Sequence, residues 1–232
     1  MVSLLIVINL SIGVEFSIKY VIILVNQQYL PYVGFLNNGW EMLKMPKAKN
    51  DYTKKQIAAA LMECLRSKPL KSITVADITA CCGMNRGTFY YHFYDKQELI
   101  NWIYHMEITE PTRQTLAGPP EGWNEISIFG LNVMQQHRDF YLQAMRLEGQ
   151  NNLRSYIKSE IETNWSIMVE RYKALCCSNQ ATDSLTFYAS FMANGAWAML
   201  MKWVDTGMRE SPENLSQLLD RIGGQSMASI LS

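Results

Sequence analysis

Histidine is scarce in this chain: His92, His105 and His137 are three in 232 residues. No two of them stand in a paired metal-binding spacing, and neither a glycine-rich phosphate loop nor a nucleophile elbow occurs. These absences weigh against hydrolase, kinase and metalloenzyme chemistry, so no enzyme activity, cofactor or metal is expected. Cysteine is sparse as well. Cys64, Cys81, Cys82, Cys176 and Cys177 make five, an odd count with two vicinal pairs and no Cys-x-x-Cys frame, which excludes a zinc set and gives no disulfide framework. They read as small apolar residues in a reducing cytoplasm. Strand-like alternation and internal repeats are also missing. Net charge is zero, because 21 Lys and Arg balance 21 Asp and Glu; taken alone, that argues against a nucleic-acid partner.

The average conceals a split. Residues 45–105 hold nine Lys/Arg against five Asp/Glu, a balance of +4, and residues 106–232 hold ten against fourteen, a balance of −4. A basic module joined to an acidic one suits a head that meets phosphates and a body that stays off them. With 48% apolar and 18% charged residues, the chain is globular material with a sizeable core.

A sustained apolar run is lacking too. Val2–Val25 is rich in Ile, Leu and Val, but Glu15 and Lys19 interrupt it, and a charge at the centre of a membrane span is costly. No basic residue precedes Lys19, so the segment is a poor secretory signal. Three readings of residues 1–44 stay open: an untranslated upstream stretch with the working start at Met45, a helix or hairpin packed on the body, or a weak membrane anchor. Met45-Pro46-Lys47-Ala48-Lys49 has the look of a basic N-terminal arm.

From residue 45 onward the chain reads as all-α. Asp51 opens a helix running to about Ser67, with Ile57, Leu61 and Leu65 on one stripe. Thr74 precedes a short helix, Val75 to Cys82, stopped by Gly83. Asn85 caps Arg86 to Phe93, and Asp95, with Glu98 as a capping box, opens a fourth helix. Gly118-Pro119-Pro120 breaks the pattern. Helices are then expected over Asn124–Gln136 and Arg138–Glu148, along the stripe Leu153 to Leu175, along 185–203, and around Leu215–Ile222.

Two short helices joined by a tight glycine-containing turn are the unit that places a second helix in the major groove. A wheel at 100° per residue puts Phe89 and Phe93 on one face of Arg86–Phe93 and Gly87, Thr88 and Tyr91 on the other, with Arg86, Tyr90 and His92 on the flanks. Glycine at 87 lets backbone approach a groove closely. Arg86 has the fork for a guanine edge, and Thr88 suits a base edge or a thymine methyl. Tyr90, Tyr91 and His92 have the reach for phosphate oxygens, and Thr74 and Lys96 stand at helix starts, where phosphates are favoured. Adjacent tyrosines cannot both face inward, so an all-core reading of Tyr90-Tyr91 fails.

These residues carry a resemblance. Ile73-Thr74-Val75-Ala76-Asp77-Ile78-Thr79-Ala80, Gly83, Arg86-Gly87-Thr88-Phe89-Tyr90-Tyr91-His92-Phe93 and Asp95-Lys96-Gln97-Glu98-Leu99 resemble the DNA-binding domain of TetR/AcrR regulators across about residues 52–100. The resemblance implies base contact by Arg86, Gly87, Thr88 and Tyr91, and backbone contact by Thr74, Tyr90, Tyr91, His92 and Lys96. Cys81-Cys82 departs from the small residues usual there.

The resemblance also implies a regulatory body, residues 101–232 behind a head at 45–100, that dimerises through its last two long helices and binds a palindromic operator. Leu185, Ala189, Met192, Ala196, Met199 and Trp203 form a near-heptad stripe suited to that contact. Candidate walls of an effector pocket are Trp102, Met106, Trp123, Phe129, Met134, Phe140, Tyr141, Met145, Trp165, Met168 and Tyr172. Phe187-Tyr188-Ala189, Trp203–Met208 and Ser211-Pro212-Glu213 resemble, more weakly, a subgroup related to regulators of dihydroxyacetone kinase operons. Some of that subgroup act as activators with a protein co-regulator, so the expected ligand-responsive repressor has an activator as its alternative, and a membrane-tethered regulator as another if residues 1–44 are present.

Overall fold

Thr74, Asn85 and Asp95 each cap the helix that follows. A computed structural model describes the backbone of residues 49–117, 123–176 and 182–231, and side chains over 51–117, 126–171, 173–174 and 184–223. The expectations for residues 1–44, for the Gly118–Pro120 break, and for the side chains of Trp123, Tyr172, Cys176 and Cys177 lie outside them.

Among the described residues all regular structure is helical, as expected. The helices are α1 (Lys49–Leu65), α2 (Val75–Cys81), α3 (Arg86–His92), α4 (Lys96–Tyr104), α5 (Glu110–Ala117), α6 (Trp123–Gln136), α7 (Arg138–Ala144), α8 (Leu153–Cys176), α9 (Thr182–Asp205) and α10 (Pro212–Leu231). A 3-10 turn, Leu70–Ser72, leads into α2, and a π-turn, His105–Thr109, joins α4 to α5. Two boundaries differ from the sequence reading. Asp51 lies in the first turn of α1 rather than before it. Phe93 closes α3 in an extended conformation, since its side chain must fold back into the core.

Ile57, Leu61, Ile73, Ile78, Phe89 and Phe93 bury themselves between α1, α2 and α3. Leu99, Ile100, Ile103 and Tyr104 of α4 continue the same apolar cluster into Phe140, Tyr141, Met145, Leu153 and Ile157 of the body. A boundary at residue 100 therefore falls inside a helix whose core is shared, and Lys47–Ser232 forms one compact unit. Polar latches reinforce the junction. The Leu70 amide donates to Gln143 Oε1 at 2.8 Å, and Asn101 Nδ2 donates to the Asn151 carbonyl at 2.7 Å. In the body α8 packs along α9 and α6 along α10. A second cluster, Trp165, Val169, Leu185, Tyr188, Ala189, Met192 and Ala193, seals α8 against α9.

Candidate nucleic-acid interface and interior cavity

The two helices of the head are set by their caps. Thr74 Oγ1 accepts from the Asp77 amide, and Asp77 accepts from the Thr74 amide at 2.8 Å, closing a capping box at the start of α2. The Thr74 hydroxyl donates to Asp77 Oδ2 at 2.7 Å and Lys68 Nζ reaches the same oxygen at 2.6 Å. The Lys68 ammonium and these Thr74 bonds hold the Asp77 carboxyl well below the usual carboxylate range. Gly83 ends α2 at φ +66°, the left-handed region in which a side chain is strained. Asn85 Oδ1 then accepts from the Thr88 amide at 2.7 Å and starts α3.

On α3 the division of faces follows the wheel with one exception. Phe89 is fully buried, while Arg86 and Gly87 are exposed. Tyr90 and Tyr91 are exposed as well, Tyr91 to 81%. Thr88 is the exception: it is half-buried and its hydroxyl donates to Asn85 Oδ1 at 3.2 Å, so it closes the cap instead of pointing outward. His92 is half-buried too. Its ring stands edge-on to Tyr91, its Nδ1 is buried without a partner, and burial, with Lys54 nearby, pushes its pKa below the ordinary value.

Sequence reasoning missed Tyr94. It is 85% exposed just beyond α3, where a helical wheel assigns no face. Only its position between two helices signalled it.

Lys96 is engaged within the chain. Its ammonium donates to the carbonyls of Ile73 at 2.6 Å and Leu70 at 2.8 Å, with that of Lys71 at 3.4 Å. Partial burial pulls its pKa below that of an ordinary lysine. Rather than an unengaged cation awaiting a phosphate, Lys96 ties the start of α4 to the 3-10 turn that leads into α2. A residue that bonds carbonyls 23 to 26 positions upstream cannot be recognised from local spacing.

Gly87 has a steric reason beyond groove approach. A Cβ there would meet Asn85 Oδ1 at 3.1 Å, and that oxygen is pinned by Thr88. Gly87→Ala is therefore expected to lower stability by roughly 0.5–1 kcal/mol, the scale of a weakened cap. That is opposite in sign to the usual gain from alanine within a helix. Urea unfolding decides it, and a stabilised variant would remove the cap from the argument.

Between α4, the π-turn, α5, α6, α8, α9 and α10 lies a cavity of about 140 Å³, partly open to solvent. Trp165, Met168 and Met134, three of the candidate wall residues, line it. Trp102, Met106, Phe129, Phe140, Tyr141 and Met145 do not. Trp102 packs edge-on against Phe93 at 5.8 Å in the head core, with Lys54 over both rings. Phe140, Tyr141 and Met145 are fully buried in the shared core, and Met106 and Phe129 are half-buried away from the cavity. The remaining walls include Tyr104, Ile108, Thr112, Ser127 and Asn164, several of them polar residues that an apolar-aromatic search passes over.

The stripe on α9 is also reassigned. Leu185, Ala189 and Met192 pack inward on Trp165 and Val169, and Ala196 and Met199 line the cavity. Trp203 is buried and its Nε1 donates to the Glu210 carbonyl at 2.8 Å, holding the α9–α10 turn. What α9 exposes instead is Phe187 and Phe191, at 77% and 75%, and α10 exposes Leu218 and Ile222.

Beside the cavity a buried carboxylate sits in the π-turn. Glu107 Oε2 accepts from the Tyr141 hydroxyl at 2.6 Å and from His137 Nδ1 at 3.2 Å. Burial and the Glu107 charge both push the Tyr141 hydroxyl well above its ordinary pKa. Among the described residues no group of three His, Cys, Asp or Glu side chains is placed to hold a metal, and no helix is long and apolar enough to cross a membrane.

Residues 57–103 match the family model of bacterial regulatory proteins, tetR family, and residues 121–223 match that of a transcriptional regulator C-terminal region. The HTH-type dhaKLM operon transcriptional activator DhaS of Lactococcus lactis subsp. lactis strain IL1403 is 28% identical over 93 residues, 40% of this chain. That match spans about half, 49%, of the activator's length. A solved dihydroxyacetone kinase operon activator DhaS superposes with a TM-score of 0.61 at 20% identity, over 78% of this chain and 98% of that one. The Thermus thermophilus repressor FadR, solved with lauroyl-CoA, gives a TM-score of 0.51 at 18% identity, over 73% and 92%. At these identities the two structures speak to fold alone.

Proposed function

The chain belongs to the TetR family of bacterial regulatory proteins, and from that premise we propose that it is a cytoplasmic homodimer that binds a palindromic operator and releases or engages it in response to an effector in the body. The observation that carries the reading is α3 itself. Phe89 and Phe93 lock the helix to the core, and Arg86, Tyr90 and Tyr91 stand out from it on the surface. A helix held from behind and polar in front is what a major groove requires. Residues 45–100 serve as the reading head and 101–232 as the effector and dimer body. Two heads in a dimer would sit about 34–36 Å apart, one turn of duplex.

Within the head the roles divide. Arg86, Gly87 and Tyr91 face bases, Tyr90, Tyr94 and the Thr74 end of α2 meet backbone phosphates, and Lys96 is a positioning residue. Thr88 and His92 support the helix from within. Phe187 and Phe191 of α9 and Leu218 and Ile222 of α10 form the dimer contact in place of the inward stripe.

Sequencing of duplexes retained by the purified chain tests this. The native chain should enrich a palindrome with salt-sensitive affinity. Arg86→Ala should lose about 1–3 kcal/mol on the preferred sequence and relax one position in each half-site. Lys96→Ala should weaken all duplexes and lower the unfolding temperature, yet leave the salt slope unchanged, because its donors are taken by carbonyls and make no phosphate contact. A slope smaller by about one would restore it as a phosphate contact. The activator reading draws support from the name of the Lactococcus relative. A reporter fused to the recovered palindrome separates it from repression.

A further inference from the structure

The head holds fewer free cations than its composition suggests. Arg66 pairs with Glu63 at 3.0 Å, and Lys68 with Asp77 at 2.6 Å. Lys54 lies over the rings of Phe93 and Trp102, at 5.3 and 6.0 Å from their centres. Lys96 donates to three carbonyls. These four side chains are engaged within the chain. Duplex binding depends instead on cations that can replace the counterions of phosphates.

Among the described residues of the head, the side chains of Lys55, Lys71 and Arg86 have neither an ion pair nor a hydrogen bond. Lys55 is half-buried on α1, and Arg86 is the proposed base contact on α3. Lys71 is exposed on the 3-10 turn before α2. Its neighbours fix where it stands. Leu70 and Ile73 are buried in the core of the head, so the turn is held on both sides and Lys71 and Ser72 are left outside. The Lys96 ammonium gathers the carbonyls of Leu70, Lys71 and Ile73 against the start of α4. Tyr94, 85% exposed, comes two residues before Lys96, and Thr74 follows Ile73. Lys71 therefore stands beside the groups proposed to meet the sugar–phosphate backbone.

We infer that Lys71, rather than Lys96, supplies the ammonium that meets an operator phosphate in each half-site, with Lys96 setting the turn that carries it. This rests on reading the chain as an operator-binding regulator. A compact charge on a flexible four-carbon stem suits a phosphate oxygen and carries no base preference. Lys96 binds the main-chain carbonyl of residue 71, so replacing the Lys71 side chain leaves that tie whole.

Fluorescence anisotropy over a series of salt concentrations tests the assignment. The native chain, Lys71→Ala and Lys71→Arg are each titrated onto a mixed-sequence duplex and onto the palindrome that the native chain enriches. For Lys71→Ala the slope of log affinity against log salt should shrink by about one for each head bound, equally on both duplexes. Its unfolding temperature should match the native value, and Lys71→Arg should keep the native slope. Lys96→Ala is expected to show the opposite pair of results. A native slope in Lys71→Ala, a loss confined to the palindrome, or a Lys71→Arg slope equal to that of Lys71→Ala would each overturn the assignment. So would a lower unfolding temperature as the sole change. A native chain that holds both duplexes while Lys71→Ala keeps its slope loses only this contact. A native chain that holds neither duplex removes the regulator reading, and the phosphate contact with it.

Discussion

Glu107→Ala is expected to destabilise the chain by about 3 kcal/mol or more, the cost of breaking a buried pair by removing one partner. Glu107 is 8% exposed and Tyr141 is fully buried, so the alanine variant strands a phenol hydroxyl and an imidazole N–H where water cannot replace the carboxylate. Urea denaturation reads the loss directly. The same cluster predicts a pH dependence. Burial pushes the His137 pKa down, but its hydrogen bond to Glu107 and the carboxylate's charge outweigh burial and hold it above the ordinary value of 6.5. A group whose folded pKa is raised gives stability that is complete below its unfolded pKa and is lost as pH climbs through the folded value. The native chain should therefore lose stability as pH rises from about 6.5 through that folded value, and Glu107→Ala should lack this step. A profile unchanged by the substitution would separate His137 from the pair.

The carboxylate sits within the π-turn, His105–Thr109. Tyr104 and Ile108, four residues apart, share the face toward the cavity, as a helical period requires, while Glu107 turns to Tyr141 and His137.

The second large effect concerns assembly. Phe187→Glu with Phe191→Glu should convert a dimer to a monomer in sedimentation and lower affinity for a palindromic duplex by roughly a hundredfold or more, since the second half-site no longer binds as part of one molecule. Both rings stand on the surface one helical turn apart, and at 77% and 75% exposure they contribute little to the fold of a single chain. Urea unfolding of the monomeric variant checks that its own fold survives. If the double variant remains a dimer, the contact lies elsewhere. The inward stripe makes a contrast: Met192→Glu would place a charge beside Trp165 and Val169 and should unfold the body instead.

Local chemistry made much of the head legible. Thr74, Asn85 and Asp95 each cap the helix that follows, because short polar side chains satisfy amides that a helix start leaves bare. Phe89 faces in and Tyr91 out, as a period of 3.6 requires. Even so, the wheel placed Thr88 outward, because a wheel records angle and ignores that a hydroxyl one turn from a cap can bond to it.

What the sequence by itself determined is the helical architecture, the helix-turn-helix and the ridge of Arg86, Tyr90 and Tyr91. All of these follow from caps, turns and periodicity within a few residues. Tertiary structure decided which partner each face meets. It engaged Lys96 with three carbonyls, turned the α9 stripe inward on α8 and left Phe187 and Phe191 outside. It also built the cavity beside Trp165, Met168 and Met134. Periodicity reports that a helix has an apolar face, but burial against one's own chain and burial against a second copy remove the same surface from water. Only the packed arrangement of the other helices distinguishes them.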